Sequence, residues 1–422
     1  VVSAVDAAII VLDAAKGIEA QTLKLFQVAQ ARGIPLITFI NKCDRPGLAP
    51  LELIDDIERQ LGIRAMPVTW PIGMGGDFVG VADRRDGSFW AFDRTAHGAG
   101  IAAERQTSLK DLADGEHRSK ARIELELLEA VGADYDHKAF LAGEATPVLF
   151  GSALWNFGIR LLLDAVVDLG PPPEPRPDKS GLALALDGQC SGFVFKIQTN
   201  LDPRHRDRVA YLRVCSGEFE RGMTLVNQRT GRVFSTKYAH QMFGRARDAI
   251  EVAGPGDVVG LVNAGDVQIG DSLSEDGAVA YPPIPSFAPE HFKIARNIDT
   301  ARYKQFRRGI TRLDQEGVVQ VLRHPDRGDQ QPVFAAVGPM QFEVAIHRLE
   351  HEYGARVELT PSQFTVARRT DPGSAVELNQ IRDVDVFARA DGTLIALFPH
   401  RHRLDAVIRD HPELTLDSIV VG

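Results

Sequence analysis

Pro35-Leu-Ile-Thr-Phe-Ile40 is a short, almost continuous apolar run, and Asn41-Lys-Cys-Asp44 follows it directly. An apolar run of this length with β-branched residues is typical of a strand that is buried on both faces of a parallel sheet. In an open α/β sheet, ligands bind beyond the carboxyl ends of the strands. The segment therefore predicts an α/β domain with ligand-binding side chains at the end of this strand.

The flanking residues extend a pattern of alternating strands and helices. Ala8-Ile-Ile-Val-Leu12 predicts an earlier strand, also covered on both faces, and apolar residues at helical spacing from Leu23 to Ala29 predict the helix after it. A second helix is expected near Pro50, and Val148-Leu-Phe150 predicts a third strand with another helix behind it. The order of elements is typical of a parallel sheet with helices on both faces.

The rest of the chain predicts two further domains. The segment from Gly170 to Pro177 is rich in proline and cannot continue a helix or a central strand, so it predicts a linker. Short strands between regularly placed glycines then predict an antiparallel β-barrel, and mixed helices and strands predict an α+β domain. The expected domains are residues 1–175, with an insertion at about 67–145, then 180–283 and 284–422.

Composition and charge narrow the classes of function. The 422 residues are 44% hydrophobic and 25% charged, which is typical of folded proteins. No apolar stretch reaches the roughly 18 residues that a membrane-spanning helix needs. A formal charge of −9 argues against a protein that coats nucleic acid through its overall charge. Because the chain has only Cys43, Cys190 and Cys215, we expect a cytoplasmic protein without disulfides or a cysteine zinc site.

The motif formed by Asn41, Lys42, Cys43 and Asp44 fits recognition of guanine. An Asp carboxylate can accept hydrogen bonds from guanine N1–H and from the exocyclic N2 amino group, a pattern of donors that adenine lacks. The Asn amide can reach the purine and the neighbouring loop, and the Lys stem can lie along the ring. Asn and Asp are also ordinary turn residues, so the motif alone leaves a purely structural role open.

Gly151-Ser-Ala-Leu154 follows the next predicted strand of the same sheet. Backbone N–H groups of a tight turn at this place can point at the purine O6, while the small Ser and Ala side chains stay out of the way. A strand-to-helix turn with Ser152 as the N-cap is the alternative. Together the two motifs predict a guanine site, whose residues would be Asn41, Lys42, Cys43, Asp44, Ser152, Ala153 and Leu154.

These two motifs resemble the fourth and fifth guanine-binding motifs of translational GTPases. Within that superfamily, two stretches are similar to the peptide chain release factor 3 family rather than to elongation factor G, namely 151–158 and 193–210. The match continues at 253–260, 268–271, 287–290 and 338–342. The similarity covers nearly the whole chain. It implies a multidomain protein with a partial α/β P-loop-type GTPase domain, an antiparallel β-barrel second domain and an α+β third domain.

Three motifs of the family do not occur in this sequence. They are the G-x-x-x-x-G-K-[ST] phosphate loop, a switch threonine for Mg²⁺, and an Asp-x-Pro-Gly-His strand end whose His positions the attacking water. In the family these motifs precede the segment that begins here at Val1, so we expect an amino-terminal part to be missing. The intact parent is then expected to be a GTPase that binds GTP or GDP with Mg²⁺. This chain would hold no catalytic or metal-binding residue, and it would be inactive and bind nucleotide weakly.

The resemblance also implies partners. It points to a bacterial translation-termination factor that uses GTP on the ribosome to promote recycling of the codon-reading release factors. Expected partners are ribosomal RNA, ribosomal proteins and those release factors. Basic residues of one loop could contact RNA phosphates, namely Arg204, His205, Arg206 and Arg208. A solvated hairpin loop, with these residues paired to Asp202 and Asp207, is the alternative.

Two other functions remain open from the sequence. The first is another translational GTPase, such as a translocation factor of the elongation factor G kind, which would need further domains beyond residue 422. The second is a non-catalytic ribosome-binding fragment in which the motif at Asn41 to Asp44 is vestigial. An intact gene without a phosphate loop would favour that second function.

Overall fold

The structure is a computed structural model that describes residues 2–93, 103–108, 116–199, 208–243, 246–262, 264, 266–284, 288–325 and 328–419. The chain divides into two compact units, Val1–Glu174 and Pro175–Gly422. Each unit has its own hydrophobic core.

The first unit alternates strands and helices. Its strands are β1 (Ala8–Asp13), β2 (Leu36–Asn41), β3 (Arg64–Pro67), β4 (Thr69–Ile72), β5 (Gly80–Asp83), β6 (Ser88–Asp93), β7 (Ala103–Ser108) and β8 (Ala145–Phe150). Its helices are α1 (Ala20–Ala31), α2 (Pro50–Leu61), α3 (Glu116–Ala130), α4 (His137–Leu141) and α5 (Ile159–Leu169).

A parallel sheet with the strand order β1-β2-β8-β3 forms the centre of this unit. In β2, Ile40 pairs with Leu12 of β1 and with Phe150 of β8, so all three strands end at one edge. Every residue from Leu36 to Ile40 is buried. The α/β architecture predicted from the sequence is confirmed, and the loops after β2 and β8 lie at the edge where such sheets bind ligands.

The expectation that the first strand is covered on both faces is wrong for the described residues. Ile9 and Val11 of β1 are 42% and 56% exposed, whereas Leu12 is buried. β1 is an edge strand of this sheet, and only one of its faces packs against the core. An apolar run predicts a strand, but it does not say how many faces the neighbouring elements cover.

The elements between β3 and β8 form a separate layer. Strands β4, β5, β6 and β7 make an antiparallel sheet in chain order, and α3 packs beside β4. Trp70 of β4 is fully buried, and its indole Nε1 donates a hydrogen bond to Glu124 of α3 at 3.0 Å. The buried polar pair joins this helix to the sheet, since a buried indole N–H needs an acceptor.

The second unit begins with an antiparallel β domain. Its strands are β9 (Ser191–Thr199), β10 (Arg208–Ser216), β11 (Phe219–Glu220), β12 (Thr224–Asn227), β13 (Arg232–Ser235), β14 (Ala239–Phe243), β15 (Ala246–Ala249), β16 (Val252–Ala253), β17 (Val258–Val262) and β18 (Ser272–Ser274). Most of them form one sheet in the order β13-β12-β18-β9-β10-β17-β14-β15. This is the β-barrel domain that the glycine-punctuated strands predict.

The remainder of the unit is α+β. Its strands are β19 (His291–Asn297), β20 (Gln320–His324), β21 (Gly328–Ala336), β22 (Val357–Pro361), β23 (Val366–Thr370), β24 (Asp385–Ala388) and β25 (Leu394–Phe398). Its helices are α6 (Tyr303–Gln315), α7 (Met340–Tyr353), α8 (Pro372–Leu378) and α9 (Arg401–Asp410). The strands form a sheet in the order β22-β19-β21-β20-β24-β25-β23. The limits of the domains, 180–283 and 284–422 among them, stay predictions.

Candidate functional site

The loops that follow β2 and β8 are hydrogen-bonded to each other beyond the ends of the strands. The Gly151 N–H donates to the Ile40 carbonyl at 2.9 Å, and the Cys43 N–H donates to the Gly151 carbonyl at 3.1 Å. Gly151 allows this close approach, because a Cβ at this position would lie 2.3 Å from the Phe157 carbonyl oxygen and 2.8 Å from the Phe39 ring. The structure thus brings the two predicted motifs together at one edge of the sheet.

Asn41 forms a second connection between the two loops. Its side-chain Oδ1 accepts hydrogen bonds from the Lys42 N–H at 2.8 Å and from the Ala153 N–H at 2.9 Å. Lys42 has a φ of 70°, a conformation that non-glycine residues seldom adopt. The Asn41 carbonyl also accepts the Ala14 N–H at 2.9 Å, so this residue contacts the loops after β1, β2 and β8.

Lys42 is held by a carboxylate from the neighbouring strand. Its Nζ lies 2.5 Å from Oδ2 of Asp13, the last residue of β1. The hydrogen bond from Lys42, followed by one from the Ala15 N–H, lowers the pKa of the Asp13 carboxyl. Sequence reasoning missed Asp13. Its position at the carboxyl end of a parallel strand next to β2 was the signal that could have found it.

Asp44, the residue predicted to select guanine, is half-buried. Its Oδ2 accepts a hydrogen bond from the indole Nε1–H of Trp155 at 3.1 Å. Trp155 lies in a 3₁₀ turn, Ala153–Trp155, that directly follows Ser152. The sequence analysis did not single out Trp155, because nothing in its spacing indicates a contact with a residue 111 positions earlier.

The Cys43 side chain belongs to the core and not to the ligand surface. It is fully buried, and its Sγ–H donates to the Ile40 carbonyl at 3.4 Å. Burial raises the pKa of the thiol to about 12. The contribution of Cys43 to the site is therefore through its backbone, since its carbonyl also accepts the Gly75 N–H at 2.8 Å.

The turn after β8 differs from a simple helix cap. Ser152 is buried and stands at the N-cap of the 3₁₀ turn, but its side chain makes no capping hydrogen bond. Its backbone N–H and carbonyl instead pair with those of Phe157, at 2.9 Å each. Ala153 is exposed, and Leu154 is 60% exposed. The alternative interpretation of Ser152 as an ordinary N-cap is therefore not supported.

The predicted basic loop is only partly described. Arg204, His205 and Arg206 lie outside the described residues. Arg208 is the first residue of β10 and is buried, and its Nη2 donates to the Val267 carbonyl at 2.8 Å. Its Nη1 donates to the Ala264 carbonyl at 3.3 Å, and burial lowers its pKa. We therefore remove Arg208 from the candidate RNA contacts, because its side chain is buried and its guanidinium donates to the backbone carbonyls of Ala264 and Val267.

In the described part of the chain, three or more His, Cys, Asp or Glu side chains are nowhere gathered in a way that could hold a metal ion. Among the helices of the same residues, none combines the length and apolar character that a membrane span requires.

Comparison with protein families gives three matches that follow one another along the chain. Residues 1–172 match the Elongation factor Tu GTP binding domain, and residues 189–276 match Elongation factor G domain 2. Residues 281–408 match the C-terminal domain of Class II release factor RF3. A translation factor with a GTP-binding domain is the class of protein that these three domains define.

Similar proteins give the family itself. A protein from Synechococcus elongatus named peptide chain release factor 3 is 42% identical over 99% of this chain and 76% of its own length. A protein of the same name from Gloeobacter violaceus is 42% identical over 99% of this chain and 80% of its own length. The chain belongs to the peptide chain release factor 3 family, whose members are GTP-binding translation termination factors.

A solved structure supports the fold. A crystal structure of a protein from Thermus thermophilus superposes with a TM-score of 0.66 at 22% sequence identity. The superposition covers 87% of this chain and 55% of that one. At this identity the likeness concerns the fold alone.

Proposed function

We propose that the site formed by the loops after β2 and β8 binds the guanine base of GTP or GDP. On the ribosome, the protein would use this nucleotide to stimulate and recycle the codon-reading release factors. The proposal rests on one observation above all. The loop that carries Asp44 is hydrogen-bonded to the loop that carries the turn 152–154. Asn41 accepts the Ala153 N–H, and the Gly151 carbonyl accepts the Cys43 N–H.

Each side chain has a distinct part in the proposed recognition. Asp44 would accept the guanine N1–H with one carboxylate oxygen and the N2 amino group with the other. Oδ1 of Asn41 is already bonded to Lys42 and Ala153, so the amide nitrogen is the group we assign to the purine. The Lys42 stem would lie along the ring, with its ammonium group held in place by the hydrogen bond to Asp13. The backbone of the turn 152–154 would face O6.

Phosphate binding and hydrolysis are not assigned to any residue of this chain. Mg²⁺ would neutralise phosphate charge when bound with GTP, but the described residues gather no set of ligands for it. The phosphate-loop and Asp-x-Pro-Gly-His motifs do not occur in the sequence. We therefore propose that GTP hydrolysis is an activity of the family, and that the 422 residues alone bind nucleotide weakly and do not hydrolyse it.

The ribosome and the codon-reading release factors are the proposed partners, in the cytoplasm. Membership in the family and the match of residues 281–408 to a release factor domain support this choice over a translocation factor. Arg204, His205 and Arg206 remain the proposed RNA contacts. Their test is the affinity of a variant with all three changed to Ser for purified ribosomes at several salt concentrations.

The guanine assignment is tested by exchanging the selecting carboxylate. Asp44→Asn keeps one acceptor oxygen but places an amide donor opposite the guanine N2 amino group, so GDP binding should fall about tenfold or more, since one hydrogen bond to a charged group is lost. Xanthosine diphosphate carries an oxygen where guanine has the N2 amino group, so it should bind the Asp44→Asn variant more tightly than it binds the unmodified chain. Equilibrium dialysis of labelled GDP, ADP and xanthosine diphosphate measures both changes.

The control is Asp55→Asn, which changes an exposed carboxylate on α2 of the same unit. It should leave the preference for GDP over ADP and xanthosine diphosphate as it is in the unmodified chain. An unchanged nucleotide preference in Asp44→Asn would reject Asp44 as the selecting residue.

A further inference from the structure

The indole of Trp155 is the one described side chain that donates a hydrogen bond to the Asp44 carboxylate. The bond from Nε1 to Oδ2 is 3.1 Å long. It joins the side chain of one loop to the residue that the other loop uses for base selection in the proposed function. Because both partners belong to the protein, the bond can orient the carboxylate before a base arrives.

The backbone around Trp155 fixes the indole in this position. The Trp155 N–H donates to the Ser152 carbonyl at 3.3 Å, which closes the turn in front of it. Behind it, Asn156 and Gly158 have φ values of 58° and 73°, and the chain then enters α5. Trp155 is half-buried and packs against the core of the first unit. A rigid turn of this kind limits the rotamers of the ring.

The chemistry of the two groups makes the contact useful for binding. A carboxylate offers about four lone-pair positions on its two oxygens, and the indole N–H, which can only donate, occupies one of them. Lone pairs on both oxygens are left for the two guanine donors. An Asp side chain on a surface loop otherwise samples several rotamers, and fixing one of them before binding reduces the entropy that is lost on binding.

We propose that Trp155 is a positioning residue for guanine selection, which holds the Asp44 carboxylate in the orientation that receives N1–H and N2–H. This inference rests on the proposed guanine site, and it adds to that site a side chain that makes no contact with the base itself. Trp155 acts through Asp44, so its removal weakens guanine binding without opening the site to adenine.

The test compares Trp155→Phe with Trp90→Phe in the full chain. Both changes keep an aromatic ring and remove an indole N–H. The Trp90 Nε1 has no hydrogen-bond partner among the described residues, so Trp90→Phe is the matched control. Trp155→Phe should weaken GDP binding about threefold to tenfold, the loss expected for one hydrogen bond, whereas ADP binding should stay unchanged. Trp90→Phe should change neither affinity.

A spectroscopic measurement separates positioning from general packing. The chain has three tryptophans, so its ¹⁵N–¹H spectrum contains three indole signals, and the one lost in Trp155→Phe is that of Trp155. Asp44→Ala should shift that signal in the absence of nucleotide, and GDP should shift it in the unmodified chain. A Trp155 side chain that only fills space would not respond to Asp44→Ala in this way.

The outcomes distinguish this inference from the proposed function. If the unmodified chain prefers GDP over ADP and Trp155→Phe binds GDP as the unmodified chain does, the positioning role is overturned and the guanine site stands. If the unmodified chain shows no preference for GDP, the guanine site fails and the positioning role fails with it. An equal weakening of GDP binding in Trp90→Phe would also overturn the specific role of Trp155.

Discussion

Oδ1 of Asn41 accepts the backbone N–H of Ala153 at 2.9 Å, which joins two loops that are 112 residues apart in the sequence. The same oxygen accepts the Lys42 N–H at 2.8 Å. One side-chain atom therefore sets both the distance between the loops and the conformation of the first one.

Replacing Asn41 should loosen both loops of the site, since its side chain bonds to the backbone of each. Asn41→Ala removes the acceptor for two backbone N–H groups, so we expect a loss of roughly 1–2 kcal/mol in stability and a clear loss of GDP binding. Asn41→Asp keeps an acceptor oxygen and serves as the matched variant, with stability close to that of the unmodified chain. Urea unfolding of the two variants compares them, and equal unfolding midpoints would contradict the proposed connection.

Gly151 should tolerate no side chain. A Cβ here would approach the Phe157 carbonyl oxygen to 2.3 Å, so Gly151→Ala must displace the turn and should cost about 1–3 kcal/mol. Gly76→Ala is the control, because nothing lies within 4 Å of the Cβ it would add. Thermal unfolding followed by circular dichroism measures both, and a Gly151→Ala variant as stable as Gly76→Ala would refute the steric argument.

The Cys43 thiol should be unreactive in the folded chain. Burial raises its pKa to about 12, above the value of about 8.5 for a free thiol. Because the folded chain keeps the thiol protonated to a higher pH than the unfolded chain does, this difference in pKa makes the free energy of unfolding depend on pH. The stability is fully present below about pH 8.5 and falls as the pH rises from there toward 12. Iodoacetamide at about pH 8 should label Cys43 only after unfolding, as peptide mass spectrometry can measure. Rapid labelling of the folded chain would contradict its burial.

An internal ion pair in the second unit should contribute strongly to stability. Arg348 of α7 lies 2.7 Å from the Glu316 carboxylate, and their side chains are 16% and 3% exposed. Burial lowers the pKa of Arg348, but hydrogen bonds to Glu352 and Glu316 outweigh it and raise the pKa overall. Arg348→Met leaves Glu316 buried without its cation, and we expect a loss of about 3 kcal/mol.

The control for this pair is Arg369→Met, which breaks an exposed ion pair with Asp417 and should cost at most about 1 kcal/mol. The midpoint of guanidinium unfolding reports both variants. Similar unfolding midpoints for the two variants would mean that the buried ion pair between Arg348 and Glu316 contributes no more to stability than the exposed pair does.

Much of the fold was predictable because it depends on local patterns. The apolar run at 35–40 and the helical spacing around α2 and α5 predicted the α/β unit, since burial of apolar faces drives both elements. The spacing did not identify which face of α5 is buried. Leu163 and Val167 recur at helical spacing, but they are 57% and 82% exposed, while Leu161 and Ala165 are buried. Apolar residues occur on more than one face of this helix, and packing against the rest of the unit decides which face is buried.

By itself, the sequence determined the strands, the two motifs at their ends and, through its resemblance, the family, because these depend on short patterns of residue type. Only the tertiary structure decided that Asn41 reaches Ala153, that Lys42 pairs with Asp13 and that Trp155 holds Asp44. It also placed the Cys43 side chain in the core and paired the buried Arg208 guanidinium with the Val267 carbonyl. Such contacts form between residues far apart in the chain, and their geometry follows from strand register and turn conformation, which no local pattern encodes.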